Sequence, residues 1–149
     1  YQHIKKNDIP TIDEGNDVSI KVLVGKVKNT SSAVQTYSPV SIFDVQFTKP
    51  SLIDLDIPKN QTVMVYVIDG ELKFHEDNQI ARKGQMIYFD QSSDMINLTS
   101  ISPTGSYLVL AGEPLNEPVV RYGPFVTNTE GDMKKAMLDY QNGKMGTLS

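Results

Sequence analysis

The sequence predicts an all-β domain, a sandwich or a barrel, that ends in one α-helix. Short runs in which apolar and polar residues alternate recur through most of the 149-residue chain. Turn-forming pairs rich in glycine, asparagine and aspartate separate these runs. Near the C-terminus the apolar spacing changes to three and four residues, which is typical of a helix. Many short strands at such intervals are typical of sandwiches and barrels.

The strands are predicted from period-two alternation and from turn signals. In the run 52–57, Ile53, Leu55 and Ile57 fall on one face, while Asp54 and Asp56 fall on the other. The run 63–68 is apolar on both faces, so we expect a strand that is covered on both sides. The other predicted strands are 19–27, 40–47, 71–75, 79–81, 85–89, 96–101 and 107–111.

The pair Asp69-Gly70 lies between two of these strands and is a strong signal for a two-residue turn. Both central positions of such a turn favour a positive φ, which aspartate and glycine tolerate. We therefore predict that residues 71–75 pair back on residues 63–68 as a β-hairpin.

The character of the sequence changes after Ala111. Residues 112–127 contain three prolines and two glycines, so we expect an irregular segment. A helix is predicted over 128–143, with Thr129 and Asp132 as a capping box and Gly143 just past its end. The apolar stripe of that helix consists of Met133, Ala136, Met137 and Tyr140.

Composition excludes several classes of function. The chain has no cysteine, so it can form no disulfide and no thiolate metal site. Its formal net charge is −4 and its lysines are scattered, which disfavours direct binding to nucleic acid. No apolar run approaches the roughly 20 residues of a membrane helix. We expect a cytoplasmic protein that contacts no membrane.

Three stretches resemble the C-terminal domain of the pirin family, which is part of the cupin superfamily. VMVYVIDGELKF followed by ARKGQMIYFD resembles the core of a cupin barrel, and TYSPVSIFDVQF resembles the start of the second pirin barrel. The most specific stretch is AGEPLNEPVVRYGPFVTNTEGDMKKAMLDYQNGKMG, over 111–146. The resemblance implies a cupin-type double-stranded β-helix (jelly-roll) barrel with one C-terminal α-helix.

The resemblance also implies a domain organisation for this chain. We expect a single cupin domain over 1–149, with a lead-in segment over 1–17, barrel strands over 18–111, the irregular segment and the helix. Pirins have two barrels, and their N-terminal barrel binds a metal, usually iron, through three histidines and a glutamate. Because this sequence resembles only the C-terminal barrel, we expect that the metal-binding barrel is absent from the chain, which would explain why residue one is Tyr1 and not methionine.

The cupin ligand pattern can be placed on this sequence at the glycine that ends its first half. With that glycine at Gly70, the glutamate position falls at Val63 and the histidine positions fall around Asp56 and Pro58. The last histidine position falls near Met95. We predict a vacant ligand region at these four residues, with no metal, no cofactor and no catalytic residue in this chain. Only His3 and His75 are histidines, and neither lies there.

Two further groups of residues leave alternatives open. Asp54 and Asp56 share a strand face and could do acid–base work, although we favour a solvated outer face. The second group could line an apolar pocket, although we favour simple barrel core. It consists of Met64, Tyr66, Phe74, Tyr88 and Phe89.

The irregular segment and the helix carry apolar side chains that form a candidate interdomain or partner surface. Packing against the chain's own barrel is the alternative. The candidates are Leu115, Tyr122, Phe125, Met137 and Tyr140. The expected partners are the N-terminal barrel of a longer parent, regulatory proteins, or a second copy of the chain through an exposed apolar patch.

Two functions follow from these expectations. The first is a non-catalytic, metal-free C-terminal cupin domain of a pirin-like protein that gives structural support and binds protein partners. The alternative is half of a metal-dependent flavonol (quercetin) dioxygenase whose active site lies in the missing N-terminal barrel.

Overall fold

A computed structural model of the chain describes residues 3–15, 17–74, 79–89 and 95–146. The chain divides into two compact units, Tyr1–Pro114 and Leu115–Ser149. We call them the barrel unit and the C-terminal unit. The division falls three residues after the predicted end of the barrel strands at Ala111.

The barrel unit begins with a turn of 3₁₀-helix, Lys6–Asp8, and continues with short strands. The strands are β1 (Thr11–Asp13), β2 (Val18–Val24), β3 (Lys26–Val27), β4 (Thr30–Ser31), β5 (Val40–Phe47), β6 (Ser51–Asp56), β7 (Thr62–Asp69), β8 (Glu71–Phe74), β9 (Gln79–Arg82), β10 (Met86–Phe89), β11 (Met95–Ser100) and β12 (Gly105–Gly112).

Two antiparallel sheets form the body of the barrel unit. The larger sheet has the strand order β1-β2-β5-β12-β7-β10, and the smaller sheet has the order β6-β11-β8-β9. Strands β3 and β4 form a separate two-stranded ribbon. Consecutive strands repeatedly lie in different sheets, as in a jelly roll. The predicted all-β architecture with a C-terminal helix is therefore confirmed.

The core lies between the two sheets and is built from alternate residues of their strands. In β6 the burial alternates along the whole strand, with Ile53 and Leu55 inside and Asp54 and Asp56 outside, as predicted. Side chains from both sheets meet in one hydrophobic cluster. Its fully buried members include Val22, Phe43, Val65, Leu72, Leu98, Tyr107 and Val109.

The predicted hairpin between β7 and β8 is wrong. β7 pairs with β10 and β12 in the larger sheet, whereas β8 pairs with β9 and β11 in the smaller one. Gly70 lies at the crossing with a φ of +84°, and Asp69 does not share a positive φ. The turn signal was therefore real, but the turn carries the chain from one sheet to the other.

The expectation that residues 63–68 are covered on both sides is also wrong. Val63, Val65 and Val67 are buried, but Tyr66 and Ile68 remain 38% and 39% exposed. The side chains alternate because only one face of β7 meets the core.

Some of the five residues that were expected in the barrel core also lie on the outer face. Tyr88 is 67% exposed and Met64 is half-buried on the outer face. Phe74 and Phe89 do pack against the core, and their rings meet edge to face at 6.4 Å.

The C-terminal unit contains a small hairpin and the predicted helix. Strands β13 (Val120–Tyr122) and β14 (Phe125–Thr127) pair antiparallel, so the expectation of an irregular segment over 112–127 is wrong for these residues. Three-residue strands are too short to show a period in sequence. Gly123, with a φ of +54°, helps to form the turn between them.

The helix α1 spans Glu130–Gln141, two residues shorter at each end than the predicted 128–143, and Thr129 is its N-cap as predicted. The Thr129 hydroxyl accepts a hydrogen bond from the Asp132 backbone N–H at 3.1 Å, which caps the first turn. Gly143 follows the C-cap residue with a φ of +67°. Met133 is the buried residue of this helix.

Candidate functional site

The structure brings together two of the four residues of the predicted vacant ligand region. Asp56 and Met95 lie directly opposite each other across β6 and β11. Both lie toward solvent, because their chain neighbours Leu55 and Ile96 occupy the core face. Pro58 is exposed in the loop between β6 and β7. Only Val63, at 4% exposure, lies in the barrel interior.

Three residues close in sequence to the predicted ligand positions are buried, and the sequence pattern did not single them out. Ile57 is 3% exposed, Ile96 is 6% exposed and Gln61 is 5% exposed. Gln61 lies immediately before β7 and two residues from the buried Val63. The Gln61 backbone N–H donates to the Pro58 carbonyl oxygen at 3.0 Å, and this turn carries Gln61 inward.

These residues do not fit a cupin iron or zinc ion. Such metals take imidazole nitrogens and carboxylate oxygens, with about three protein ligands. Here Ile57, Val63 and Ile96 offer no donor atom, and Gln61 offers only a neutral amide. Within the described ranges, no group of three or more histidine, aspartate and glutamate side chains is placed to hold a metal ion. His3 is exposed near the N-terminus, and His75 lies outside the described residues.

Gln61 has an unusual environment for a polar side chain. Its amide oxygen Oε1 is buried and accepts no hydrogen bond in the structure. An unpaired buried acceptor costs about 1–3 kcal/mol in folding free energy. Among the described residues, the other two buried polar side chains belong to serines. The Ser100 hydroxyl accepts a hydrogen bond from the Ser51 N–H and donates toward the carbonyl oxygens of Lys49 and Ser51. Gln61 therefore differs from them in lacking a partner at one atom.

Asp54 and Asp56 lie on the solvated outer face of β6. Both are exposed, and Asp54 accepts a hydrogen bond from the Asn97 side-chain amide at 2.6 Å. The solvated outer face that we favoured for these two side chains agrees with their exposure.

A small cleft beside the edge of β6 has room of about 20 Å³, enough for one water molecule. Glu14 contributes to its lining and forms an ion pair with Lys28. The full lining consists of Glu14, Ile20, Val27, Lys28, Phe43, Asp54, Leu55 and Asp56.

The candidate partner surface lies within the C-terminal unit. Leu115, Tyr122 and Tyr140 are 63–65% exposed, whereas Phe125 and Met137 are half-buried. Phe125 lies directly opposite Tyr122 in the small hairpin, and its ring meets that of Tyr140 edge to face at 5.7 Å. The structure thus groups Tyr122, Phe125 and Tyr140.

Two antiparallel sheets with this strand order and a closed apolar interior define a cupin barrel. A crystal structure of quercetin 2,3-dioxygenase from Acinetobacter baumannii is similar in fold, with a TM-score of 0.85 and 30% identity. The match covers 100% of this chain and 51% of that chain.

The model of one protein family, the pirin C-terminal cupin domain, matches residues 42–146. The chain belongs to the pirin family, as its C-terminal cupin domain. It is 33% identical to Pirin-1 from Arabidopsis thaliana and 32% identical to Pirin from Homo sapiens. Each match covers 98% of this chain, and 52% and 51% of those two proteins. The chain thus spans about half the length of the curated relatives it matches.

A search of the described residues for a membrane-crossing helix finds none that is both long and apolar enough.

Proposed function

We propose that this chain serves as a non-catalytic, metal-free cupin domain of a pirin-type protein, which gives structural support and binds protein partners. The proposal rests on the chemistry of the buried side chains near the predicted ligand positions. Val63 is the one predicted ligand position that lies in the interior, and it offers no donor atom. Its buried neighbours in sequence, Ile57 and Gln61, add only an apolar side chain and a neutral amide. A closed apolar interior stabilises the barrel but supplies no nucleophile, base or ligand set.

Metal analysis of the purified chain tests this proposal. After incubation with Fe(II) or Zn(II) and gel filtration, we expect far less than one metal ion per chain. A variant with His3→Ala and His75→Ala serves as the control, because it removes both imidazoles of the chain. Stoichiometric iron in the wild-type chain contradicts the metal-free proposal. Stoichiometric iron that persists in the control variant would further place the ion among residues other than histidine.

The partner-binding part of the proposal concerns the exposed aromatic residues of the C-terminal unit. Tyr122 and Tyr140 present large apolar rings to solvent, and tyrosine is enriched in protein interfaces. The proposed partner is the N-terminal barrel of a longer parent protein. Regulatory proteins are a second kind of partner for the same surface.

A titration tests this partner directly. The chain is mixed with the separately produced remainder of its parent, and the complex is measured by calorimetry. Tyr122→Lys with Tyr140→Lys is expected to weaken binding at least about tenfold, as for the loss of interface hot spots. Leu52→Lys with Ile80→Lys is the matched control, since both residues are exposed on the smaller sheet. Equal weakening in the two variants contradicts the assignment.

The second candidate function is that of half a metal-dependent flavonol dioxygenase. It is favoured by the A. baumannii relative, which is described as a quercetin 2,3-dioxygenase. In this proposal the active site lies in the other half of the parent, so iron-loaded parent protein should consume quercetin and this chain alone should not. Turnover by this chain alone would contradict both candidate functions. Direct binding to nucleic acid is not part of either proposal, and a cytoplasmic location belongs to both.

A further inference from the structure

An asparagine–glycine pair lies at the C-terminal end of α1, and the proposed function makes no use of it. Asn142 is the C-cap residue, Gly143 follows it, and both are exposed. The sequence contains nine asparagines, and only Asn142 is followed by glycine. This order matters chemically, because glycine has no Cβ to keep its backbone nitrogen away from the side chain before it.

The backbone around this pair forms a Schellman motif, which ends the helix. The Gly143 N–H donates to the Tyr140 carbonyl oxygen at 3.0 Å, and the Lys144 N–H donates to the Asp139 carbonyl oxygen at 2.8 Å. Gly143 has a φ of +67°, the left-handed conformation that this motif needs. A Cβ added at Gly143 would meet no atom within 4 Å, so water can reach the pair from this side.

The side-chain amide of Asn142 is held less firmly than those of two other asparagines. Asn97 donates to the Asp54 carboxylate at 2.6 Å, and Asn128 donates to the Glu117 carboxylate at 2.7 Å. Among the described residues, none is hydrogen-bonded to the Asn142 side-chain amide. The amide carbon of Asn142 is therefore open to attack, and no hydrogen bond to a described residue has to break first.

We propose that Asn142 is a site of spontaneous deamidation, with the Gly143 backbone nitrogen as nucleophile and water as co-reactant. The nitrogen loses its proton and attacks Asn142 Cγ, and the new bond closes a succinimide ring. The bond from Cγ to the side-chain nitrogen breaks, and that nitrogen leaves with the proton as ammonia. Water then opens the ring at either carbonyl, which gives aspartate or isoaspartate. No oxidant or reductant takes part.

The folded end of α1 keeps the two reacting atoms apart. The ψ of Asn142 is 8°, so the Gly143 nitrogen is nearly eclipsed with the backbone nitrogen of Asn142 and is turned away from Cβ. Ring closure needs this nitrogen to rotate toward Cβ, and it also needs the Gly143 N–H to release the Tyr140 carbonyl oxygen. The reaction therefore runs through a locally opened helix end, and such openings cost little free energy at frayed termini.

Deamidation loosens the turn in which it occurs. It places a carboxylate at the C-terminal end of α1, where the helix dipole is already negative. The last turn of α1 has no basic residue, and Lys144 beyond it is paired with Asp139 at 3.3 Å. Isoaspartate also lengthens the backbone by one carbon, which disturbs the spacing of the Schellman bonds. The same turn carries Tyr140, but the inference goes beyond the proposed function and does not rest on it.

Mass spectrometry of the full 149-residue chain tests the proposal. The chain is incubated at pH 7 and pH 9, folded or in guanidinium chloride, and trypsin then releases residues 136–144. We expect Asn142 to become aspartate and isoaspartate, faster at pH 9 because the attacking nitrogen must lose a proton. The unfolded chain should react at least about tenfold faster than the folded chain. An amide that persists at Asn142 in the unfolded chain at pH 9 overturns the proposal, and equal rates in both states overturn the gating by the helix end.

Two comparisons isolate the role of the pair. Asn128 is followed by threonine, so in the unfolded chain it should react far more slowly, and an equal rate there contradicts the role assigned to Gly143. Asn142→Asp reproduces the charge of the product, and hydrogen exchange of residues 138–143 should be faster in it than in the wild-type chain. Asn142→Gln is the matched control, because it keeps a neutral amide and should exchange like the wild type. Equal exchange in Asn142→Asp and Asn142→Gln contradicts the loosening of the turn.

Discussion

Replacing Tyr107 with phenylalanine is expected to make the protein more stable. Tyr107 is 0% exposed on β12, with Val45 opposite on one side and Val67 on the other. Its ring lies 6.5 Å from that of Phe47. The buried hydroxyl has no hydrogen-bond partner in the structure. The substitution removes this unpaired group and keeps the ring that fills the core.

The expected gain follows from the cost of burying an unpaired hydroxyl. That cost is about 1–3 kcal/mol, so Tyr107→Phe should raise the free energy of unfolding by up to that amount at neutral pH. For a chain of this length, 1 kcal/mol corresponds to roughly 3–4 °C in Tm. Urea unfolding measures the free energy, and calorimetry measures Tm.

The pH dependence gives a second, independent readout of the same group. Burial raises the pKa of the Tyr107 phenol far above its ordinary value near 10. Above pH 10 the unfolded state loses this proton while the folded state keeps it, so the unfolded state binds fewer protons. Stability should therefore fall with rising pH, by about 1.4 kcal/mol per unit from this one group. Below pH 10 this group adds no slope, and Tyr107→Phe should lack its contribution to the slope at every pH.

The control is Tyr88→Phe, which removes an exposed hydroxyl and should change stability by less than about 0.5 kcal/mol at neutral pH. The reasoning is refuted if Tyr107→Phe lowers the free energy of unfolding by 1 kcal/mol or more. That result would mean that the hydroxyl makes a favourable hydrogen bond, for example to an ordered water. An unchanged alkaline slope in Tyr107→Phe would refute the account of the pKa.

Two further substitutions test the crossing and the helix cap. In urea unfolding, Gly70→Ala should lower the free energy of unfolding by about 1–3 kcal/mol more than Gly84→Ala. Both glycines have a positive φ, but of the two only Gly70 lies so close to backbone that an added Cβ would be 2.8 Å from the Thr104 carbonyl oxygen. Equal losses would contradict the steric argument. Thr129→Ala should lower helix stability by about 1 kcal/mol, and Thr129→Ser should restore it, since serine also accepts the Asp132 N–H. Hydrogen exchange of residues 130–141 measures this, and equal exchange in all three proteins would exclude a capping role.

The sequence predicts those elements whose determinants are local. β6 follows from strict alternation, and α1 follows from a capping threonine, a three-and-four spacing and a terminal glycine. The pairing of β7 with β8 fails because a turn signal fixes the local direction of the chain and not the sheet to which the next strand belongs. Whether residues after Gly70 pair back depends on β11 and β9, which come later in sequence.

In the ligand region, too, local sequence does not predict which side chains point into the barrel. The cupin pattern, placed at Gly70, predicts four ligand positions, yet Asp56 and Met95 lie outside the interior, since their neighbours take the core face. Gln61 was missed because its burial depends on a turn closed at Pro58, which no spacing reveals. Tyr66 and Tyr88 were expected in the core because apolarity alone does not tell an inner face from an outer one.

The position of β12 has a consequence for how the chain reaches its native state. Residues 105–112 form the strand that lies between β5 and β7, so the larger sheet cannot close until this late segment arrives. Before then, both neighbours expose unpaired backbone N–H and C=O groups, which invite pairing with other chains. Contacts so distant in sequence fold slowly. During synthesis on the ribosome, the period before Gly112 emerges is therefore when this barrel is most open to aggregation.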